Sequence, residues 1–161
     1  MIAVLQRVTQ ASVSVDGRTV GECGQGLAVL LGVAQGDTEN DAEIMAKKIL
    51  GLRIFCDGAG KMNLSIRDIN GEMLVISNFT LLANYRCGNR PDFMNAAPPE
   101  RANELYEYFK TLVARELKHI GCGVFGAHMN IDIRCDGPVT VVMDSEVLKS
   151  KKRGNRNETD N

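Results

Sequence analysis

The sequence is short of the residue types on which many enzymes and RNA-binding proteins rely. It has no tryptophan, 5% aromatic residues and two histidines among 161 residues. Scarce aromatics argue against a surface that stacks the bases of a single strand. The net charge of -1 gives no overall field to attract a polyanion. A nucleic-acid partner would therefore have to be held by a local group of residues.

The five cysteines form no framework. They are widely spaced, with no Cys-x-x-Cys pair and no Cys/His cluster at zinc-ligand spacing. This pattern is typical of reduced thiols in a cytoplasmic protein. No clustered ligands predict a metal or another cofactor. No apolar run reaches membrane-spanning length, and the N-terminal segment is too short and polar for a signal peptide, which predicts no membrane association.

The first half of the chain predicts strands followed by a helix. Apolar and polar residues alternate over 11–15 and lead into Asp16-Gly17, a strong signal for a two-residue hairpin turn. The apolar run Leu27–Ala34 is typical of a strand buried on both faces. Thr38 is a candidate N-cap of a helix, and Gly51 suits its end.

The second half predicts further strands and the longest helix. This helix should begin after Pro98-Pro99, carry apolar residues as far as Leu117, and be ended by Gly121 and Gly123. Strands are expected over Arg53–Cys56, Met73–Leu82, Met129–Cys135 and Val139–Met143. The pattern defines an α+β fold class in one domain, residues 1–148. The charged residues 149–161 are expected to form a disordered tail.

Two segments carry the most distinctive chemistry: Ser77-Asn78-Phe79-Thr80-Leu81 and Cys135-Asp136-Gly137-Pro138-Val139-Thr140. Each follows an apolar strand-like run, and neither contains an ordinary catalytic base. Thr80 is a possible nucleophile, but threonine in a strand is also common for packing reasons. Asp-Gly-Pro is either a simple turn or the site of a cis peptide bond. An active site built from these segments would work mainly through main-chain groups.

Three other features have both a functional and a structural explanation. His119 is expected near the end of the long helix, where an imidazolium interacts favourably with the helix dipole. His128 is a candidate base, but it forms no recognisable Ser-His-Asp or Cys-His arrangement. The loop Tyr85–Arg90 carries two arginines, which are either merely solvated or in contact with a phosphate backbone.

Several motifs, taken in order, resemble the D-aminoacyl-tRNA deacylases of the type common to bacteria and eukaryotes. The resemblance extends from Met1 to about Ser145. Its motifs are Ala3-Val4-Leu5-Gln6-Arg7-Val8, Ala11-Ser12-Val13, Lys61-Met62-Asn63-Leu64-Ser65, Ser77 to Leu81, Gly88-Asn89-Arg90-Pro91-Asp92-Phe93, Phe125-Gly126-Ala127-His128-Met129 and Asp136-Gly137-Pro138-Val139-Thr140. The combination is far more specific than any one segment.

The resemblance implies a compact β-barrel-like domain of mostly antiparallel strands with two main helices packed outside. It also implies a homodimer with its active sites at the subunit interface. The substrate of the family is the 3′ end of a tRNA charged with a D-amino acid, or with glycine, whose ester is hydrolysed.

Specific residues acquire roles from the same resemblance. Ser77 to Thr80 would line one wall of the pocket, and the backbone N–H groups of Phe79 and Thr80 would stabilise the oxyanion. The resemblance also implies that the terminal 2′-hydroxyl of the tRNA assists the hydrolysis. Gly137-Pro138 would be a cis pair that enters the partner's pocket and leaves no room for an L side chain. Arg7 would support this pair, and Phe125 would lend main-chain atoms to the pocket.

Two departures from the family pattern leave alternatives open. Asn78 stands where the family usually has Gln, and Cys135 stands where it usually has Asn, a stronger hydrogen-bonding residue. They motivate a variant hypothesis of a chirally relaxed editor of small-amino-acid mischarging. A hypothesis of another class is a non-catalytic tRNA-binding dimer that kept the fold.

Overall fold

The computed structural model describes residues 1–149. In chain order the elements are β1 (Ile2–Val15), β2 (Arg18–Cys23), β3 (Gly26–Gly32), α1 (Glu39–Leu50), β4 (Phe55–Cys56), β5 (Met62–Leu64), β6 (Glu72–Ser77), a 3₁₀ turn (Phe79–Leu82), α2 (Pro99–Ala114), β7 (Ile120–Cys122), β8 (Asn130–Asp144) and α3 (Ser145–Lys149). Apart from Lys149, the predicted tail lies outside the described residues.

Six strands form one mixed sheet around the long strand β1. The strand order is β2-β1-β3-β6-β7, with β8 also paired to β1. β1 is antiparallel to β2, β3 and β8, whereas β3–β6 and β6–β7 are parallel. Because β2 and β7 also contact each other, the sheet nearly closes into a barrel. The predicted α+β, barrel-like and mostly antiparallel fold is therefore confirmed.

The two main helices cover the sheet and form the larger core with it. Met45 and Ile49 of α1 and Leu105, Tyr106 and Phe109 of α2 are almost completely buried in this core. Met45 and Ile49 are four residues apart, and Phe109 follows Leu105 by four and Tyr106 by three, so each set lies on one face of its helix. The Tyr106 hydroxyl donates a hydrogen bond of 2.9 Å to the Val75 carbonyl of β6. Tyr106 thereby ties α2 to the strand that leads into the candidate site.

Several local predictions are confirmed. The turn between β1 and β2 uses Asp16 and Gly17 with φ angles of 48° and 76°. Thr38 precedes α1, with its N–H and hydroxyl both 3.0 Å from the Asp41 carboxylate. Burial alone would raise the pKa of Asp41, but hydrogen bonds from Lys149, Ser145 and Thr38 outweigh burial and hold this pKa below its usual range. Gly51 caps the helix end through the Lys47 carbonyl.

Other local predictions are wrong. β6 stops at Ser77, and the residues to Leu82 form a 3₁₀ turn instead of continuing the strand. The long helix ends at Ala114, and Ile120–Cys122 is a strand. A Cβ at Gly121 would lie 2.2 Å from the Glu22 oxygen, so this glycine serves close strand packing and does not end the helix. His119 lies beyond the helix, with Nε2 3.0 Å from the Glu22 carbonyl oxygen.

The two strands predicted on either side of Asp136-Gly137-Pro138 are one strand, β8. Both halves pair with β1, so the segment does not turn the chain into a new partner. Among residues 1–149, no helix has the length and apolarity needed to cross a membrane.

Candidate active site

A largely apolar cavity of about 810 Å³ opens beside the end of β6. Ser77 to Thr80 form one wall, and residues 125–129, which precede β8, form another. Most residues of the segment 93–99 and Ala102 of α2 also line it, together with Leu30, Val33, Gln35, Ile76 and Ile131. A volume of this size suits a small ligand or the end of a larger one.

The 3₁₀ turn places Phe79 and Thr80 at this cavity. Asn78 begins the turn, because its N–H is bonded to the Leu31 carbonyl at 2.8 Å and its side-chain oxygen accepts from the Thr80 N–H at 3.2 Å. A Cβ at Gly32 would lie 2.5 Å from Leu82 Cδ2 and 3.0 Å from the backbone carbonyl oxygen of Asn78. Gly32 therefore allows the turn to pack directly against the end of β3.

The Thr80 side chain is engaged within the same turn. Its hydroxyl donates a hydrogen bond of 2.6 Å to Asn78 Oδ1. The Asn78 oxygen thus accepts from both the backbone N–H and the hydroxyl of Thr80. A neutral amide is no base, so the arrangement does not activate the hydroxyl as a nucleophile. It does fix the direction in which the Thr80 N–H points.

Aromatic contacts hold the walls of the cavity. Phe79 is 56% exposed, and its ring meets the Phe93 ring edge-on with centroids 5.0 Å apart. The Phe125 ring packs against Tyr106 with centroids 6.0 Å apart. Since Tyr106 is anchored to β6, the residues around Phe125 are held against the same strand that carries Ser77. This explains how segments far apart in sequence form one cavity.

Some lining residues were not predicted as site residues. His128, weighed only as a possible base, is exposed and lines the cavity. Phe93 and Met94 also line it, as does Gln35 after β3. The segment 84–98 is rich in Asn, Gly, Arg and Pro, which is typical of a loop, and binding residues commonly lie on such loops. Gln35 carries no such signal.

The residues Asp136 to Val139 bulge from β8. Gln6 pairs with Thr140 and Val8 pairs with Cys135, so four residues of β8 stand opposite the single residue Arg7. The Gly137-Pro138 peptide bond within this bulge is cis, and both residues are exposed. We call residues 136–139 the β8 bulge.

Arg7 holds the β8 bulge through Asp136, the first residue of the bulge. Its Nε lies 3.0 Å from both the carbonyl oxygen and a carboxylate oxygen of Asp136. Its Nη1 donates to the Ile54 carbonyl at 2.7 Å and lies 3.9 Å from Cys56 Sγ. Arg7 is 9% exposed, whereas the Asp136 side chain is 41% exposed. A nearly buried guanidinium therefore holds the residue that directly precedes Gly137.

The structure brings together only some of the predicted site residues. Ser77, Asn78, Phe79, Thr80 and Phe125 all line the cavity. Gly137 and Pro138 are not among the residues that line it in the same chain. Cys135, the neighbouring departure, is also exposed and outside the cavity.

The cysteines and acidic residues do not suggest another catalytic centre. Burial raises the pKa of Cys23 to about 11, which disfavours the reactive thiolate. Within residues 1–149, no group of three or more His, Cys, Asp and Glu side chains is arranged to hold a metal ion.

Comparison with known proteins places this fold and site in a family. The family model of D-Tyr-tRNA(Tyr) deacylase matches residues 4–144. A D-aminoacyl-tRNA deacylase of Dehalococcoides mccartyi strain BAV1 is 57% identical over 145 residues, which is 90% of this chain and 95% of the relative. The D-aminoacyl-tRNA deacylase of Caldicellulosiruptor saccharolyticus is 53% identical over 146 residues, covering 91% and 98%.

Two solved structures share this fold. A c-Myc DNA unwinding element binding protein superposes with a TM-score of 0.85 at 42% identity, covering 89% of this chain and 98% of that chain. A probable eukaryotic D-amino acid tRNA deacylase superposes with a TM-score of 0.75 at 15% identity, covering 88% and 97%, and supports the fold alone. The protein is a hydrolase. It belongs to the D-Tyr-tRNA(Tyr) deacylase family.

Proposed function

We propose that the protein hydrolyses the ester of D-aminoacyl-tRNA and releases free tRNA and the D-amino acid. The observation that carries the proposal is the cavity wall Ser77–Thr80, in which the Thr80 hydroxyl is hydrogen-bonded to the neutral amide of Asn78 and not to a side-chain base. An aminoacyl ester is already an activated acyl group, so orientation and oxyanion stabilisation are sufficient chemistry. The reaction requires no cofactor, and the protein would act in the cytoplasm.

Water attacks the ester carbonyl in the proposed reaction, and the carbonyl oxygen becomes an oxyanion. The N–H groups of Phe79 and Thr80 stabilise this charge. The intermediate then expels the ribose 3′-oxygen, which takes up one proton of the attacking water, and the amino acid leaves as a carboxylate after the second proton passes to solvent. The neighbouring 2′-hydroxyl of the tRNA assists by relaying the proton. In the free protein Asn78 Oδ1 accepts from the Thr80 N–H, so the substrate oxygen replaces this acceptor on binding.

Chiral selection is assigned to the β8 bulge of a second copy. In this proposal the carbonyl oxygens of Gly137 and Pro138 hold the substrate ammonium and exclude an L side chain, as the family resemblance implies. The bulge lies outside its own cavity, which supports a homodimer in which each copy supplies the other's bulge. Phe125 lends main-chain atoms to the pocket.

The exposed surface of β8 supports the same dimer. β8 is an edge strand of 15 residues that is paired only with β1 in the described part of the chain. Ile133 is 37% exposed and Val142 is 69% exposed along it. A long edge with exposed apolar side chains is normally covered by another element or another chain.

Glycyl-tRNA fits the same pocket, because glycine has no side chain to reject. Because Asn78 and Cys135 depart from the family pattern, they motivate a second form of this activity with relaxed chiral selection. If they loosen the pocket, L-Ala-tRNA should be cleaved at a rate comparable to D-Ala-tRNA. Side-by-side rates on Gly-, D-Ala- and L-Ala-tRNA decide between strict and relaxed chirality.

The direct test uses purified protein with D-Tyr-tRNA and L-Tyr-tRNA at equal concentrations. We expect release of D-Tyr and retention of L-Tyr on its tRNA. Absence of D-Tyr release at micromolar enzyme would contradict the proposal.

A second candidate is nucleic-acid binding without hydrolysis. The name of the 42% identical c-Myc DNA unwinding element binding protein favours it. Tight, salt-sensitive binding of uncharged tRNA without turnover of the charged form would support this candidate against the first.

A further inference from the structure

The arginine loop, residues 84–92, is a closed projection beside the cavity. Asn84 and Asp92 form an antiparallel bridge, with N–H to carbonyl distances of 2.8 and 2.9 Å in the two directions. Asn84 Nδ2 also donates to the Asp92 carboxylate at 2.9 Å. The backbone N–H of Arg86 donates to Asn84 Oδ1 at 3.3 Å. The base of the loop is thus fixed by backbone and short side chains, independently of the residues at its tip.

Both ends of the arginine loop are attached to the candidate active site. Its first residue comes two positions after the 3₁₀ turn that carries Phe79 and Thr80. Its last residue is followed by Phe93, whose ring contacts Phe79, and by Met94. The Met94 carbonyl accepts from Gln35 Nε2 at 2.6 Å. Because Phe93 and Met94 line the cavity, the loop is held at the edge of that cavity.

The tip of the loop presents unpaired cations and an open aromatic ring. Arg86 and Arg90 are exposed, and neither forms an ion pair within residues 1–149, whereas Arg67 and Arg101 are paired with glutamates. The one acidic residue of the loop, Asp92, is engaged by Asn84 and by the Met94 N–H. Tyr85 is 78% exposed. The loop therefore concentrates positive charge in a protein whose net charge is -1.

We propose that the arginine loop binds the 3′-terminal single strand of the tRNA where it leaves the cavity. This inference rests on the proposed function, which places the aminoacylated end inside the cavity and the preceding phosphates outside it. Arg86 and Arg90 contact phosphate oxygens, for which the planar guanidinium is well suited. Tyr85 stacks on an unpaired base. These contacts are independent of base sequence, so they strengthen binding of any tRNA 3′ end.

The test compares two substrates that share the reacting bond. One is a D-aminoacyl-tRNA, and the other is the same D-amino acid esterified to adenosine, which has no phosphate. For the Arg86→Ala/Arg90→Ala variant we expect KM for the tRNA substrate to rise about tenfold, with kcat retained. For the same variant, the slope of log affinity for tRNA against log salt concentration should become shallower by about 0.7 for each phosphate that is no longer neutralised. Turnover of the adenosine ester should not change.

Matched variants separate charge, stacking and folding. Arg18→Ala removes another exposed arginine, at the β1–β2 hairpin and outside the cavity lining, and should leave both substrates unaffected. Arg86→Lys/Arg90→Lys should retain most of the salt dependence. Tyr85→Ala should weaken tRNA binding without altering the salt slope.

The outcomes distinguish this inference from the proposed function. Equal losses on both substrates, or an unchanged KM and salt slope for the tRNA, would overturn the role of the arginine loop while the hydrolase stands. If the wild-type protein cleaves neither substrate, the proposed function fails. Binding of uncharged tRNA to wild-type protein and to the double alanine variant then decides the role of the loop by itself.

Discussion

The 3₁₀ turn and the β8 bulge each follow an apolar strand-like run and contain no ordinary catalytic base. They differ in packing, because the turn packs within its own chain and the bulge projects from it. The turn is built inside its own chain: Asn78 caps it, Gly32 admits it against β3, and its residues line the cavity. The β8 bulge is anchored on one side by Arg7, but its tip is exposed and lines no part of its own cavity. The turn therefore forms a wall of the cavity in its own chain, whereas the tip of the β8 bulge packs against no surface among residues 1–149.

Because of this difference, we expect that turnover and chiral selection can be altered by separate variants. Damage to the turn should alter the positions of Phe79 and Thr80 and therefore reduce turnover. Loosening of the bulge should alter which enantiomer is accepted. Each of the following variants tests one side of this comparison.

Gly32→Val should have the largest effect. The added Cβ would meet Leu82 Cδ2 at 2.5 Å and the Asn78 backbone oxygen at 3.0 Å, so the Leu82 side chain and the start of the turn must give way. We expect kcat to fall on the order of 10- to 100-fold, because small displacements of positioning groups have effects of this size. Overpacking should also lower the free energy of unfolding by about 1–3 kcal/mol. Single-turnover rates and urea unfolding measure the two effects.

Gly58→Ala is the control for Gly32→Val, since its new Cβ would have no atom within 4 Å. It should behave as wild type in both measurements. A folded Gly32→Val protein with normal kcat would contradict the assigned role of the turn.

Arg7→Leu should chiefly affect selection. It leaves the Ile54 carbonyl and Asp136 without their donor, so the free energy of unfolding should fall by about 1–3 kcal/mol. The ratio of D- to L-aminoacyl-tRNA rates should fall roughly tenfold for each 1.4 kcal/mol of lost discrimination. Arg7→Lys keeps the charge but cannot reproduce the two-sided guanidinium contacts, so its ratio should be intermediate. If stability falls while the D/L ratio stays constant, Arg7 is only structural.

Thr80→Ala should have a smaller effect on turnover. The hydroxyl donates to Asn78 and has no base beside it, whereas the backbone N–H remains. We expect kcat within about fivefold of wild type, equivalent to about 1 kcal/mol. Thr80→Ser is the matched control and should be closer still. Loss of turnover in a folded Thr80→Ala protein that still binds substrate would make the hydroxyl a direct participant.

His128→Gln should have the smallest effect. His128 lines the cavity, but the proposed reaction assigns it no proton. We expect kcat within about twofold and an unchanged pH–rate profile. The disappearance of a limb from that profile would identify His128 as an acid or base and replace the main-chain account.

The sequence predicts the local elements and the cavity wall better than their connections. The Asp16-Gly17 hairpin and the cap at Thr38 depend on neighbouring residues, so their signals are present locally. Ile120–Cys122 was missed as a strand because its glycine is explained only by the distant backbone of Glu22. The continuity of β8 was missed because Asp136-Gly137-Pro138 has the composition of a turn, and only pairing with β1 reveals a bulge.

The central claim is that a working site combines the cavity of one copy with the β8 bulge of another. Gly32→Val damages the cavity, and Gly137→Val displaces the bulge, since a Cβ at Gly137 would lie 2.1 Å from the Val139 nitrogen. Gly32→Val should lose turnover because the turn moves, and Gly137→Val should lose it because the displaced bulge no longer holds the substrate ammonium, so each variant alone should be strongly impaired on D-Tyr-tRNA. Mixed after reversible dissociation, they should recover about a quarter of wild-type activity, because half of the dimers are mixed and each contains one undamaged site. Mixtures that show only the summed activity of the two variants would contradict the claim.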